Sequence, residues 1–179
     1  GDFQVATPIL YSGGSVLRGS GPATRVRPTA NMAAVFKPRA ATTFNAEVRD
    51  LYIIGNRAAF TQGHGIDVTG LRSCRVENIR CDLIHESAIW GDAFISPIEG
   101  LWIRDLQVSQ PKRNAIYLKG ANGFRITGVH SLLSDWYAVE LVNCGEGIVE
   151  SVQTSLTFAT GLALHNCNDI DVSNVHTSA

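Results

Sequence analysis

The chain has 179 residues, 45% of them hydrophobic and 17% charged, with 15 basic residues against 16 acidic ones. That composition fits one domain of ordinary size, and a formal charge of −1 supplies no field for an extended nucleic-acid footprint or a polybasic membrane anchor. No apolar run approaches the roughly 18 residues that a bilayer span requires, so neither nucleic acid nor membrane insertion is expected.

Taken in chain order, residues 1–45 carry no clear repeat and are expected to be irregular or to form early rungs of whatever follows. From residue 46 onward the sequence repeats. A β-branched aliphatic, two mostly polar or small residues and a second aliphatic recur as Val48-Arg49-Asp50-Leu51, Val76-Glu77-Asn78-Ile79, Ile103-Arg104-Asp105-Leu106, Ile126-Thr127-Gly128-Val129, Val149-Glu150-Ser151-Val152 and Val172-Ser173-Asn174-Val175. The first positions are separated by 28, 27, 23, 23 and 23 residues.

A second element keeps step: Gly65-Ile66-Asp67-Val68, Ala88-Ile89-Trp90-Gly91, Ala115-Ile116-Tyr117-Leu118, Ala138-Val139-Glu140-Leu141 and Gly161-Leu162-Ala163-Leu164. The two longer repeats read as regular ones with insertions, within residues 56–64 and 92–98, and insertions on a fixed scaffold mark a working face. A third column, Leu71, Ile98, Ala121, Cys144 and Cys167, is apolar or thiol throughout, as an inward stack should be.

The segments between turns are short, rich in Val, Ile and Thr, and closer to period two than to 3.6, so they read as strands. Such repeats bury an apolar face only by stacking on their neighbours. The expected fold is therefore all-β, a parallel β-helix with rungs of about 23 residues over 46–179. The leucine-rich repeat is the rival, since its period overlaps and Leu164-His165-Asn166-Cys167 has its flavour, but residues 147–160 offer β-branched residues and turns where that fold often places a helix.

The four cysteines form no C-x-x-C pair and have no histidine at zinc-finger spacing, so no metal site is expected. Cys144 and Cys167 fall on adjacent rungs, about 4.8 Å apart. A disulfide fits that separation, but stacked reduced thiols in an apolar core are the expectation.

This repeat resembles the right-handed parallel β-helices of the pectate-lyase-like superfamily and, within it, bacteriophage tailspike and tail-fibre proteins. The resemblance covers residues 46–179 and, more loosely, Val16-Leu17-Arg18-Gly19-Ser20-Gly21-Pro22-Ala23-Thr24, which looks like an early rung. It implies recognition of bacterial surface polysaccharide, an extracellular location on a virion tail, a homotrimer, and glycosidic cleavage as a depolymerase. A non-catalytic receptor-binding or structural shaft, or a secreted cellular carbohydrate-active protein, stays open beside it. Because the first residue is Gly1 and the last repeat stops partway through a rung at Ala179, a longer polypeptide or a covering element is expected.

The outward residues of the second element form one column, Asp67, Trp90, Tyr117, Glu140 and Ala163, and four positions earlier lies another, Glu86, Arg113, Trp136 and Ala159. Aromatic rings can cover the apolar faces of pyranoses while charged groups bind hydroxyls. Asp67, Trp90, Arg113, Tyr117, Lys119, Trp136 and His165 are the substrate-binding candidates.

Glycoside hydrolysis needs two carboxyl groups about 5 to 10 Å apart. The nominated pair is Glu86 with Asp92, which bracket Trp90; Asp135 with Glu140, beside Trp136, is the second. Polygalacturonase motifs, a calcium-lyase cluster, a dinucleotide or phosphate loop and a G-x-S-x-G elbow are not found, so no cofactor is expected. Gly63-His64-Gly65 reads as a turn within the first insertion.

Overall fold

The computed structural model describes residues 1–178; Ala179, on which the expectation of an interrupted last rung rests, lies outside them. Eighteen strands follow one another: β1 (Asp2–Val5), β2 (Ile9–Tyr11), β3 (Val16–Arg18), β4 (Arg25–Pro28), β5 (Ala34–Pro38), β6 (Thr43–Phe44), β7 (Glu47–Ile54), β8 (His64–Asp67), β9 (Leu71–Arg72), β10 (Arg75–Asp82), β11 (Ile89–Asp92), β12 (Trp102–Ser109), β13 (Ile116–Lys119), β14 (Arg125–Leu132), β15 (Val139–Val142), β16 (Gly145–Ser155), β17 (Leu162–His165) and β18 (Asn168–Ser178). There is no helix among the described residues.

All strand pairs are parallel. One sheet runs β1-β4-β7-β10-β12-β14-β16-β18, with β3 also on β7; a second runs β2-β5-β8-β11-β13-β15-β17. Each turn of chain adds one strand to both, which makes a right-handed parallel β-helix of about eight turns, each about 23 residues long.

The register is the repeat itself. Val48, Val76, Ile103, Ile126, Val149 and Val172 lie opposite one another in sequence, as do Leu51, Ile79, Leu106, Val129, Val152 and Val175. Each aliphatic thus stacks on its equivalent one rung away, and the interior from Val48 to Val152 is buried. The four-residue spacing has a backbone cause. Asp50, Asn78, Asp105, Gly128, Ser151 and Asn174, the third residue of every motif, have φ between 51° and 66°. Ladder pairing skips this position, so both flanking aliphatics point inward across a bend. Left-handed backbone is costly for most side chains and tolerated best by Gly, Asn and Asp, which are five of the six residues found here.

The third column is inward as expected: Leu71, Ile98, Ala121 and Cys144 are buried. Cys74, Cys81 and Cys144 are buried free thiols, Cys167 is partly exposed, and burial pushes the Cys144 thiol up to about 11. At Gly91 the inward column narrows. A Cβ there would stand 2.6 Å from Ile98 Cδ1 and 2.7 Å from Val68 Cγ2, so Ile98, delivered by the second insertion, fills the volume that a side chain would take.

Candidate functional site

The second sheet presents its outward residues as one ladder. Asp67, Trp90, Tyr117, Glu140 and Ala163 pair in succession, and the Phe36–Ile66 register places Lys37 one rung before Asp67. Two residues along, Asp92, Lys119, Val142 and His165 form a parallel ladder. Alternation along short strands turns these side chains out while Ile66, Ile89, Ile116 and Val139 go to the core.

Two hollows lie on this face. The first, about 590 Å3, is lined by residues including His64, Glu86, Trp90, Asp92, Tyr117, Trp136 and Glu140. The second, about 480 Å3, is lined by residues including Lys37, Arg39, Asp67, Thr69 and Ile95. Because His64, Glu86 and Trp90 line both, they form two lobes of one groove along the helix axis. Ile95, from the second insertion, is 70% exposed at the edge of the second lobe.

Each carboxylate on the groove is held differently. Asp92 Oδ1 accepts the Phe94 N–H at 2.9 Å, and Oδ2 lies 3.4 Å from Lys119 Nζ. Glu86 Oε2 accepts the Gly63 N–H at 3.0 Å and lies 3.4 Å from His64 Nε2. Glu140 Oε2 accepts from Asn114 at 2.8 Å, with His165 Nε2 3.7 Å from its Oε1. Asp67 Oδ1 accepts the Thr69 N–H at 2.9 Å. Asp67 is 7% exposed, and burial raises its carboxyl above the ordinary aspartate range despite that hydrogen bond and the nearby Lys37 charge.

Asp67 and Asp92 are diagonal neighbours. Asp67 pairs with Trp90, so Asp92 stands one rung up and two residues along. Strand geometry puts such Cα atoms about 8 Å apart. Thr69 links them: its N–H goes to Asp67 and its Oγ1 accepts the Asp92 N–H at 3.1 Å. Glu86 and Asp92 stand six residues apart along one rung with Trp90 between them, and both line the first lobe.

Among the nominated residues, Glu86, Trp90, Asp92, Arg113, Tyr117, Trp136 and Glu140 line the first lobe and Asp67 the second. Lys119 joins through its ion pair with Asp92, and His165 Nε2 stands 3.7 Å from Glu140 Oε1. Asp135 is not brought to the groove. Its Oδ2 is 2.8 Å from Arg57 Nη2, a partner 78 residues away supplied by the first insertion.

Sequence reasoning missed His64. It is not in a turn but opens β8, with its ring on the Trp90 indole, centroids 4.9 Å apart and planes 11° from parallel. The Ser87 N–H donates to Nδ1 at 3.2 Å, which leaves the Nε2 proton facing Glu86. Burial lowers its pKa to about 4, outweighing the pull of Glu86. The signal lay in register: His64 is three residues before Asp67, at the edge of the aromatic column.

Among solved structures the chain is similar to the catalytic domain of a GH87 alpha-1,3-glucanase in complex with nigerose, at a TM-score of 0.75 and 13% identity, covering 98% of this chain and 34% of that one. A complex of such a domain with tetrasaccharides gives 0.70 and 14%, covering 97% and 34%. The ORF18 protein of a Geobacillus virus gives 0.52 and 11%, covering 97% and 52%. The chain therefore spans about a third of the length of the glucanase domains it matches. At these identities the likeness is one of fold. No protein-family model matches the chain, and no curated protein does.

Proposed function

We propose that this chain is a polysaccharide-recognising β-helix of the phage tailspike kind, acting outside the cell on bacterial surface polysaccharide and cleaving its glycosidic bonds. The observation that carries the reading is the groove: Trp90, Tyr117 and Trp136 offer ring faces along a two-lobed channel whose carboxyl groups lie in distinct environments. Rings stack on pyranose faces, and the elongated channel suits a chain of sugars rather than one small molecule. The glucanase and viral likenesses support a carbohydrate-acting β-helix.

For cleavage, Asp67 serves as the acid and Asp92 as the base. Burial favours the protonated form of Asp67, and Lys119 Nζ stands 3.4 Å from Asp92 Oδ2. Asp67 gives its proton to the glycosidic oxygen as the bond from that oxygen to the anomeric carbon breaks. Asp92 takes a proton from the water whose oxygen bonds to that carbon. Standing on neighbouring rungs of the same face, the two residues flank one stretch of the channel, and single-step hydrolysis of this kind places its water between the acid and the base. Glu86 and Glu140 orient sugar hydroxyls, and the protein works as a homotrimer, with residues 46–179 as its regular rungs.

The test is incubation with a panel of bacterial surface polysaccharides, following retained binding and new reducing ends together. Both signals support the proposal. Binding without new ends makes the chain a recognition module, an ultraviolet-absorbing unsaturated end means elimination instead of hydrolysis, and neither signal with any polysaccharide leaves the structural shaft.

A further inference from the structure

The chain has only three lysines, Lys37, Lys112 and Lys119, among its 15 basic residues, and all three stand on the groove face. Lys37 and Lys112 line its two lobes and Lys119 pairs with Asp92. The pairing of the other cations sharpens this. Arg18, Arg25, Arg49, Arg57, Arg72, Arg80, Arg104, Arg125 and Lys119 each have a carboxylate oxygen within 4.0 Å. Among the described residues that leaves six lysines and arginines without one: Arg27, Lys37, Arg39, Arg75, Lys112 and Arg113. Four of the six line the groove, Lys37 and Arg39 in the second lobe, Lys112 and Arg113 in the first.

All four are exposed. Lys112 Nζ instead meets His85 Nε2 at 3.1 Å, a contact that needs the imidazole neutral and so leaves the ammonium charge uncompensated. The carboxylates on the same face already have partners of their own: Lys119 for Asp92, the Gly63 N–H for Glu86, Asn114 for Glu140 and the Thr69 N–H for Asp67. Four cations and four carboxylates line the two lobes, and it is the cations, without carboxylate partners, that stand open to an anionic ligand. The two cation pairs stand three rungs apart, since Lys37 lies one rung before Asp67, Trp90 and Tyr117 follow on the next two, and Arg113 shares the rung of Tyr117. Strand spacing makes that about 14 Å along the axis.

We infer that the groove takes an acidic polysaccharide, one whose repeating unit carries a carboxylate, with Lys37 and Arg39 binding one anionic group and Lys112 and Arg113 another further along the chain. The inference rests on the reading of the groove as a polysaccharide site and names its substrate class. Two points of contact select for a polymer with regularly placed charge. A single anionic sugar engages one pair, and a neutral glycan leaves both pairs unmatched.

The experiment measures binding of the full chain to two immobilised sets: carboxylate-bearing bacterial capsular polysaccharides and their carboxyl-reduced, neutral derivatives. Binding to at least one acidic member, lost on carboxyl reduction and weakened as sodium chloride rises, is the expected result. Lys37→Gln with Arg39→Gln, and Lys112→Gln with Arg113→Gln, should each weaken that binding at least about tenfold. Arg75→Gln, which changes an unpaired arginine stacked over Trp102 outside the groove, should leave it unchanged. Equal binding of acidic and reduced forms overturns this inference and leaves the polysaccharide reading standing. Binding of neither form overturns both.

Discussion

The imidazole of His64 lies flat on the indole of Trp90, with centroids 4.9 Å apart, while its Nε2 faces Glu86. One residue thus fixes the plane of the ring at the junction of both lobes and the position of a carboxylate beside it. His64 comes from the first insertion and Trp90 from the outward column of the repeat itself.

This arrangement makes stability sensitive to acid. The folded-state pKa of His64 is lowered to about 4 from an ordinary 6.5, so between those values the unfolded chain binds a proton that the folded chain refuses. Stability is complete above pH 6.5 and falls as pH drops towards 4, with a contribution from this residue of up to about 3 kcal/mol. His64→Phe, which keeps a flat ring and removes the titration, should flatten the decline of the urea midpoint over that range. An unchanged acid slope would place the sensitivity elsewhere.

Trp90 sits where the two lobes meet, so its removal should be felt by any ligand spanning them. Trp90→Ala is expected to weaken polysaccharide binding at least about tenfold while circular dichroism stays that of a β-helix, since the ring points out of the core. Binding at the original strength would exclude the aromatic column as the platform.

Asp67→Asn and Asp92→Asn should each lower the rate of new reducing ends about a hundred- to ten-thousandfold with glycan binding retained. A Glu86→Gln variant tests the alternative assignment. If it abolishes cleavage while Asp67→Asn does not, Glu86 rather than Asp67 is the acid.

The core narrows at Gly91, where Ile98 and Val68 occupy the space of a side chain. Gly91→Ala forces one of them aside and should cost about 1–3 kcal/mol, read as a lower denaturant midpoint. No change would mean that the second insertion moves freely.

Three buried thiols give a separate check on the stack. Cys74, Cys81 and Cys144 are enclosed and burial raises the pKa of each, so they should resist a thiol reagent in the native protein. All four cysteines should react after unfolding without reductant; fewer would reveal a disulfide.

The sequence by itself determined the solenoid. Spacings of 23 residues, the paired aliphatics of each rung and the outward column Asp67, Trp90, Tyr117, Glu140 were all legible, because in a stacked parallel fold sequence period and spatial neighbour are the same quantity. Even the bend at Asp50, Asn78 and Asp105 left its mark, since left-handed backbone restricts the residues that fill it. Tertiary structure alone decided what the insertions do. Their paths obey no period, so nothing in the order of residues told that Arg57 would cross to Asp135, or that the ring of His64, though in register beside the column, would lie flat on Trp90. Nor could composition tell which cations find carboxylates and which are left facing the groove. Pairing is a matter of a few ångströms between side chains on different rungs, and only the folded backbone sets those distances.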